Sequence, residues 1–248
     1  MAHPHHAPVR ELYVSPAAAA ALLAEAAKLP AWTLDARQAG ELALLMNGGF
    51  ATLRGYMTQA DHKAVPDGAW PVPLVLQVDA GFAERVQPGD DIALRDDRSV
   101  VAVMSVTDRW GDPLLLGGKV KGLRRLDQGL TPNALRALWR DRGANRVLAI
   151  QPTAPDQVAP AARLARQLDA LLLIQPFPGV MVDAPADAIL APLPVVPPAG
   201  PQAGLWQGLV ARNHGATHLV LHDGAAQQAY RAHQDRVGVR MVVPDGTF

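Results

Sequence analysis

Short apolar runs alternate with amphipathic segments throughout the second half of the chain. Each run is five or six residues long and has no alternation of polar positions, as in strands that are buried on both faces of a parallel sheet. The predicted strands are 146–151, 171–175, 217–222 and 239–243. The predicted helices between and around them are 132–142, 156–168, 203–214 and 225–236. This order predicts a Rossmann-like α/β fold with a parallel sheet.

The first half of the chain has a different pattern, with helices first and strands after them. An alanine-rich helix is predicted over 17–28, and the pair Asp35 and Gln38 has the spacing of a capping box that opens a second helix. Gly48 is suited to the left-handed conformation that ends this second helix. The predicted strands are 72–79, 91–95 and 99–107. We expect a β-rich domain over 1–125 and an α/β domain over 126–248.

The proline-rich stretch 176–201 is predicted to be a long connection inside the second domain. Long connections within compact domains often carry function.

Composition excludes several classes of function. The 248 residues include 23 basic and 23 acidic side chains, so the chain lacks the basic excess of a dedicated nucleic-acid binder. It contains no cysteine, which rules out disulfides and thiolate metal sites. No apolar run is long enough to cross a membrane, and we expect a cytoplasmic location. The three histidines before residue 7 are interpreted as part of a disordered terminus rather than as a metal site.

Several motifs follow one another in the order found in one enzyme family. The longest are Asn47–Phe50 (NGGF) and Leu53–Met57 (LRGYM). The others are Trp70–Pro73, Ile92–Asp96, Gly117–Gly118, Thr131–Pro132, Ala199–Pro201 and Asn213–His218. Together they resemble ATP sulfurylase (sulfate adenylyltransferase) over most of the chain. The resemblance implies a PUA-like N-terminal domain followed by a Rossmann-like nucleotidyltransferase domain.

The residues that carry the chemistry of that family are replaced. The family joins sulfate to the α-phosphate of ATP, and its motif Gln-x-Arg-Asn-x-x-His-x-x-His supplies donors and positive charge to the anionic groups. Gln151 keeps the first position, and Asp156 adds a negative charge inside the motif. The arginine, asparagine and two histidine positions are occupied by Thr153, Ala154, Gln157 and Pro160.

Two later motifs have also diverged. In the family's Ala-Gly-Pro-Arg motif, Gln202 stands at the arginine position, and the Gly-Arg-Asp-His-Ala-Gly motif corresponds to a shorter stretch around 222–226. The conserved remainder implies that a remnant nucleotide site for ATP or adenylylsulfate could persist, with Mg²⁺ entering only through the nucleotide. Its expected residues are Gln151, Ala199, Gly200 and Pro201. We assign no cofactor beyond this remnant nucleotide site and expect no metal site.

The resemblance, with these replacements, predicts a catalytically inactive module of sulfate activation that serves assembly or scaffolding. Its expected partners are an adenylylsulfate kinase, fused or encoded nearby, and further copies of itself. The chain leaves its last strand in a turn at 243–248 and contains no P-loop, so a kinase would have to be supplied by other sequence. The alternative is an active sulfate adenylyltransferase with a rearranged site. A family segment is also missing between Trp110 and Gly117.

Two further patterns have competing interpretations. His218 and His222 have the spacing of a metal pair on a helix, but on a strand they would lie about 13 Å apart. We therefore expect His218 to be a structural hydrogen-bonding residue, and His214 to belong to the last turn of a helix. The basic residues Lys119, Lys121, Arg124 and Arg125 suggest either RNA binding or, as we expect, a solvated linker or a salt-bridged domain interface.

Overall fold

A computed structural model describes residues 7–65, 73–126 and 129–243. The histidines before residue 7, the first residue of the predicted strand 72–79 and the predicted final turn beyond residue 243 lie outside the described residues. The chain forms two compact units. We call Arg10–Gln128 the β-rich unit, and Gly129–Phe248 together with Met1–Val9 the α/β unit.

The β-rich unit is built around one mixed sheet. Its strands are β1 (Ala31–Thr33), β2 (Gly55–Tyr56), β3 (Leu76–Gln77), β4 (Asp91–Arg95), β5 (Val100–Trp110) and β6 (Leu115–Gly122). Its helices are α1 (Pro16–Ala26), α2 (Ala36–Asn47), α3 (Gln59–Ala64) and α4 (Ala80–Ala83). The strand order is β1-β4-β5-β6-β2, with β3 also paired to β6. The β1–β4 pair is parallel and the other pairs are antiparallel.

The second helix, α2, forms as its sequence predicts. The Asp35 side chain accepts a hydrogen bond from the backbone N–H of Gln38, and the Gln38 side chain accepts one from the N–H of Asp35, so the capping box is confirmed. Gly48 ends the helix in the left-handed region with φ 90°. The helix buries Leu42 and Leu45 completely in the core of this unit.

Strand β6 corrects the interpretation of the basic cluster. Lys119 and Lys121 lie on β6, the antiparallel partner of β5, so they belong to the sheet and not to a linker. Arg124 forms an ion pair with Asp96 at 2.5 Å within the same unit. The residues between Trp110 and Leu115 form the turn that joins β5 to β6, the place at which the resemblance predicts a missing family segment. Within 73–79, the described part of the predicted strand 72–79, Leu76–Gln77 form a strand.

The α/β unit has one parallel sheet of five strands. These are β7 (Val147–Ile150), β8 (Leu171–Ile174), β9 (Ile189–Leu190), β10 (His218–Val220) and β11 (Arg240–Val242). The order β11-β10-β7-β8-β9 is parallel throughout. The helices are α5 (Pro132–Asp141), α6 (Val158–Gln167), α7 (Ala203–Asn213), α8 (Gly224–Arg231) and α9 (Gln234–Val237). The predicted fold class, a β-rich domain followed by a parallel α/β domain, is confirmed.

Two elements of the α/β unit differ from the sequence prediction. The proline-rich connection 176–201 contains β9, which extends the sheet by pairing with β8. The predicted helix 225–236 is two helices, because the backbone at His233 leaves the helical region with φ −128°. Trp139 and Tyr230 are fully buried and fill the core between helices and sheet. None of the helices in the described ranges is long and apolar enough to cross a membrane.

Candidate functional site

The carboxyl ends of β7 and β10 define the candidate site. Chain order runs from β7 through β8 to β9 on one side, and β10 and β11 lie on the other side, so strand order reverses between β7 and β10. Ligands of open α/β sheets bind in the crevice that such a reversal creates. Ile150 is paired with Val220, so the loops that follow these two strands start side by side at this crevice.

Gln151 follows β7 directly and is held inside the protein. Its side-chain amide donates to Oε1 of Gln175 at 3.1 Å and to the backbone carbonyl of Gln207 at 3.3 Å. Gln151 is 4% exposed and Gln175 is completely buried. The pair therefore joins the ends of β7 and β8 to α7, and a ligand in the crevice could not reach the Gln151 amide without rearrangement.

The residues at the replaced arginine and first histidine positions hydrogen-bond to each other. Oε1 of Gln157 accepts a hydrogen bond from the backbone N–H of Thr153 at 2.8 Å, and Nε2 of Gln157 donates to Oγ1 of Thr153 at 3.2 Å. Ala154, at the asparagine position, lies between them and has no side-chain polar group. The backbone N–H of Thr153 is therefore occupied by a hydrogen bond within the loop between β7 and α6. A loop that binds an anion would instead keep its backbone N–H groups free for the ligand.

The ionisable side chains on the two loops at the crevice are two aspartates and one histidine. The two loops 151–157 and 221–223 contain Asp156, His222 and Asp223 but no lysine or arginine. Although His222 is exposed at the surface, partial desolvation lowers its pKa below the usual value, and the nearby Asp156 carboxylate partly opposes this change. Asp223 accepts a hydrogen bond from the N–H of Ala226 at 2.7 Å and so caps the N-terminus of α8. The electrostatic field of these loops is therefore unfavourable for a triphosphate.

The other predicted site residues lie at the ends of helices. Pro160 is in the first turn of α6, where a proline needs no backbone hydrogen bond. Ala199, Gly200 and Pro201 form an exposed turn before α7, with Gly200 in the left-handed region at φ 106°. Gln202 is the N-cap of α7 and makes no capping hydrogen bond with its side chain. What remains of the expected nucleotide site is therefore mainly backbone.

The two histidines of the suspected metal pair lie at opposite ends of β10. His218 opens the strand and its Nδ1 lies 2.8 Å from Oγ1 of Thr217, while His222 follows the strand at the crevice. Burial, followed by the charges of Arg240 and Arg146, lowers the pKa of His218. His214 ends α7, with Nδ1 2.7 Å from the carbonyl of Val210. Residues 7–65, 73–126 and 129–243 contain no group of three metal-binding side chains.

Sequence reasoning did not single out Gln175. The signal was present, because Ile150-Gln151-Pro152 is repeated as Ile174-Gln175-Pro176 at the end of the neighbouring strand. Adjacent parallel strands with the same terminal sequence place their glutamines next to each other.

The proximity of Asp156 and His222 predicts a change in titration. Replacing Asp156 with asparagine removes a negative charge that raises the pKa of His222, so this pKa is expected to fall further below 6.5. A proton NMR titration of the His222 ring would measure it. The matched control, Asp169→Asn, alters a carboxylate at the other edge of the sheet, before β8, and is expected to leave His222 unchanged. An unchanged His222 pKa in Asp156→Asn would contradict the geometry of the crevice.

Comparison with known proteins supports the relationship that the motifs indicate. A family model of PUA-like domains matches residues 2–113. Sulfate adenylyltransferase from Gibberella zeae is 28% identical over 89% of this chain and 53% of its own length. The enzyme from Emericella nidulans is 30% identical over 81% of this chain and 46% of its length. The chain spans about half the length of the curated relatives it matches.

A solved structure extends the similarity to the whole fold. The hexameric APS kinase from Thiobacillus denitrificans superposes with a TM-score of 0.80 and is 30% identical. The match covers 95% of this chain and 55% of that one. Both described units therefore have a counterpart within one longer chain.

Proposed function

Because this chain belongs to the ATP sulfurylase (sulfate adenylyltransferase) family, we propose that it is a module of sulfate activation that no longer catalyses adenylyl transfer and instead serves assembly. The hydrogen bonds between Thr153 and Gln157 carry this proposal. They close the loop in which the family presents its arginine and histidines to sulfate and phosphate.

The size of the expected loss follows from the chemistry. Sulfate is a weak nucleophile and every reactant is anionic, so the reaction depends on preorganised donors and positive charge. Removal of one such donor typically lowers the rate by about 10²–10³. Here Thr153, Gln157, Pro160 and Gln202 replace four charged or donating groups of the family, and Asp156 adds a negative charge. Turnover at the uncatalysed level is the expected consequence.

Nucleotide binding, as opposed to turnover, depends on what the crevice still offers. Gln151 is buried against Gln175, so ATP or adenylylsulfate would meet chiefly the exposed turn at 199–201 and the start of α7. Backbone contacts of this kind bind without supplying the charge that the transition state needs. We propose that any nucleotide bound here is held weakly and that Mg²⁺ enters only with it.

An adenylylsulfate kinase is the proposed partner. Its substrate is the product of the sulfurylase reaction, and a similar fold forms part of a hexameric protein named for that kinase activity. An inactive sulfurylase module retained beside a kinase would contribute contacts between subunits and no chemistry. We propose that the kinase is fused to this chain or encoded beside it, and the complete reading frame with its neighbours decides this.

The connection 176–201 is the proposed assembly surface. Among the described residues, its Met181, Leu190 and Val196 are 85%, 44% and 53% exposed, so apolar side chains are concentrated on one segment. Contiguous exposed apolar surface commonly marks interfaces, and we propose that these three side chains contribute to one.

Replacing Met181 with aspartate is expected to shift the protein toward smaller species, because a carboxylate would be desolvated in the interface. Sedimentation velocity on the protein, alone and with an adenylylsulfate kinase, measures this. Leu130→Asp is the control, since Leu130 is 45% exposed in the same unit but outside the connection. If the unmodified protein is a monomer that forms no complex with the kinase, the assembly role is refuted. If the two variants sediment identically, Met181 does not lie in the interface.

A further inference from the structure

A separate concavity lies in the β-rich unit, beside β2, β6 and α3. Its volume is about 560 Å³, within the range of sites that hold small molecules. All of its lining residues belong to the β-rich unit, between Thr52 and Lys119, so it is unrelated to the crevice of the α/β unit.

The wall of this concavity is mainly apolar. Leu53, Met57 and Val65 line it together with Tyr56. Met57 and Tyr56 are 4% and 3% exposed, so this part of the wall is anchored in the core of the unit. An apolar, preformed wall favours a ligand with an apolar body.

Two cations stand at the polar side of the concavity. Lys119 on β6 is paired with Gly55 on β2, and Arg54 comes directly before Gly55. The side chains of Arg54 and Lys119 therefore both border the concavity. Both residues are exposed, and in residues 7–65, 73–126 and 129–243 neither side chain forms an ion pair or a hydrogen bond. They are therefore available to an anion.

Among the described residues that line the concavity, the one carboxylate, Asp61, is already engaged. Oδ2 of Asp61 accepts hydrogen bonds from the backbone N–H of Thr58 at 3.1 Å and from its hydroxyl at 2.7 Å, which closes the capping box of α3. Asp61 therefore forms no ion pair with Arg54 or Lys119, because its carboxylate is engaged by Thr58. The described lining residues therefore carry two positive groups and one negative group.

Backbone strain occurs at the same place. Thr52, which also lines the concavity, has φ 95°, a conformation that β-branched residues rarely adopt. Backbone strain of this kind is concentrated at functional sites. The strained residue comes directly before Leu53 and Arg54, which contribute an apolar side chain and a positive charge to the lining of the concavity.

We propose that this concavity binds a small organic monoester of phosphate or sulfate. The anionic head lies between Arg54 and Lys119, where guanidinium and ammonium groups donate charge-assisted hydrogen bonds. The apolar body rests on Leu53, Met57 and Val65. This site is additional to the proposed assembly role and does not depend on it.

Titration of the full chain with phenyl phosphate and phenyl sulfate tests the proposal, with calorimetry for affinity and the amide signals of Gly55 and Lys119 for location. Inorganic phosphate and sulfate are the probes without an apolar body, and they are expected to bind at least about tenfold more weakly. A comparison of the two esters shows which head group is preferred.

Arg54→Gln and Lys119→Gln are each expected to weaken ester binding about tenfold or more. Lys121→Gln makes the same change on the same strand outside the concavity, and its affinity is expected to equal that of the wild type. Three results would overturn the proposal. The esters do not bind, Lys121→Gln weakens ester binding as much as Lys119→Gln does, or inorganic phosphate binds as tightly as the esters. None of these outcomes bears on adenylyl transfer or assembly.

Discussion

Replacing Arg136 with methionine is expected to lower the free energy of unfolding of the α/β unit by about 3 kcal/mol or more. Arg136 is 4% exposed, and its guanidinium donates to the carbonyls of Asn213, Arg212 and Ala7 at 2.7, 2.8 and 2.6 Å. Two of these carbonyls belong to the last turn of α7, where few backbone N–H groups remain to pair with them, and that of Arg212 also accepts from the backbone N–H of Gly215 at 2.9 Å. Methionine fills a similar volume but leaves all three acceptors without this donor.

Burial, together with the charges of Arg212 and Arg140, lowers the pKa of Arg136 to about 10, and the side chain stays protonated at neutral pH. Urea unfolding followed by circular dichroism measures the effect. Arg163→Met changes an exposed arginine on α6 and is expected to alter stability by less than about 0.5 kcal/mol. Equal stability of the two variants would show that Arg136 does not anchor the end of α7.

Replacing Gly55 with alanine is expected to destabilise the β-rich unit by about 3 kcal/mol, at the upper end of overpacking effects. A Cβ atom at Gly55 would lie 1.9 Å from the carbonyl oxygen of Gly118 and 2.7 Å from Cα of Lys119, so β2 and β6 would have to separate. Backbone atoms cannot turn away as a flexible side chain can. Gly55 lies within the LRGYM motif, so the motif identifies the family through architecture.

Thermal unfolding with β-sheet ellipticity as the signal measures this effect. Gly81→Ala is the control, because its Cβ would meet only Asp79 at an ordinary 3.6 Å and Gly81 lies in α4. Alanine there is expected to be neutral or slightly stabilising, since glycine costs helices about 1 kcal/mol relative to alanine. A Gly55→Ala protein as stable as Gly81→Ala would contradict the close approach of the strands.

The sequence pattern predicted the parallel sheet well because its long strands are continuous apolar runs. Strand β6 was missed for a physical reason. Gly117 and Gly118 lower its strand propensity, yet a Cβ at these positions would lie 2.1 Å from the carbonyl oxygen of Met57 and 2.0 Å from that of Ser105. The close approach of the neighbouring strands therefore requires glycine at both positions. This requirement cannot be recognised from the sequence of β6 alone. Strand β9 has two residues and likewise exists through its pairing with β8.

At the candidate site, the sequence identified which positions are replaced but not what the new residues do. That Gln157 would bond to Thr153, four residues away, depends on the turn before α6. That Gln151 would be buried against Gln175 depends on two strands 24 residues apart in the chain. Both arrangements rest on tertiary geometry, and both turn polar groups away from a ligand.

These contacts explain why restoring the family's side chains is expected to fail. In the variant Thr153→Arg, Gln157→His, Pro160→His, the loop would regain an arginine and two histidines. Gln202 would still be neutral, Asp156 would still be negative, and Asp223 would still cap α8. Several cooperating groups act as a unit in catalysis, so a partial set supplies little of the whole effect.

Release of pyrophosphate from ATP and sulfate in the presence of Mg²⁺ tests the central claim most directly. The full chain and the triple variant are compared with a reaction without protein and with an active sulfate adenylyltransferase. We expect both proteins to show no sulfate-dependent release above the reaction without protein. Sulfate-dependent release by the unmodified chain well above that background would contradict the account and establish an active enzyme with a rearranged site. Release by the triple variant alone would show that the rest of the site is intact.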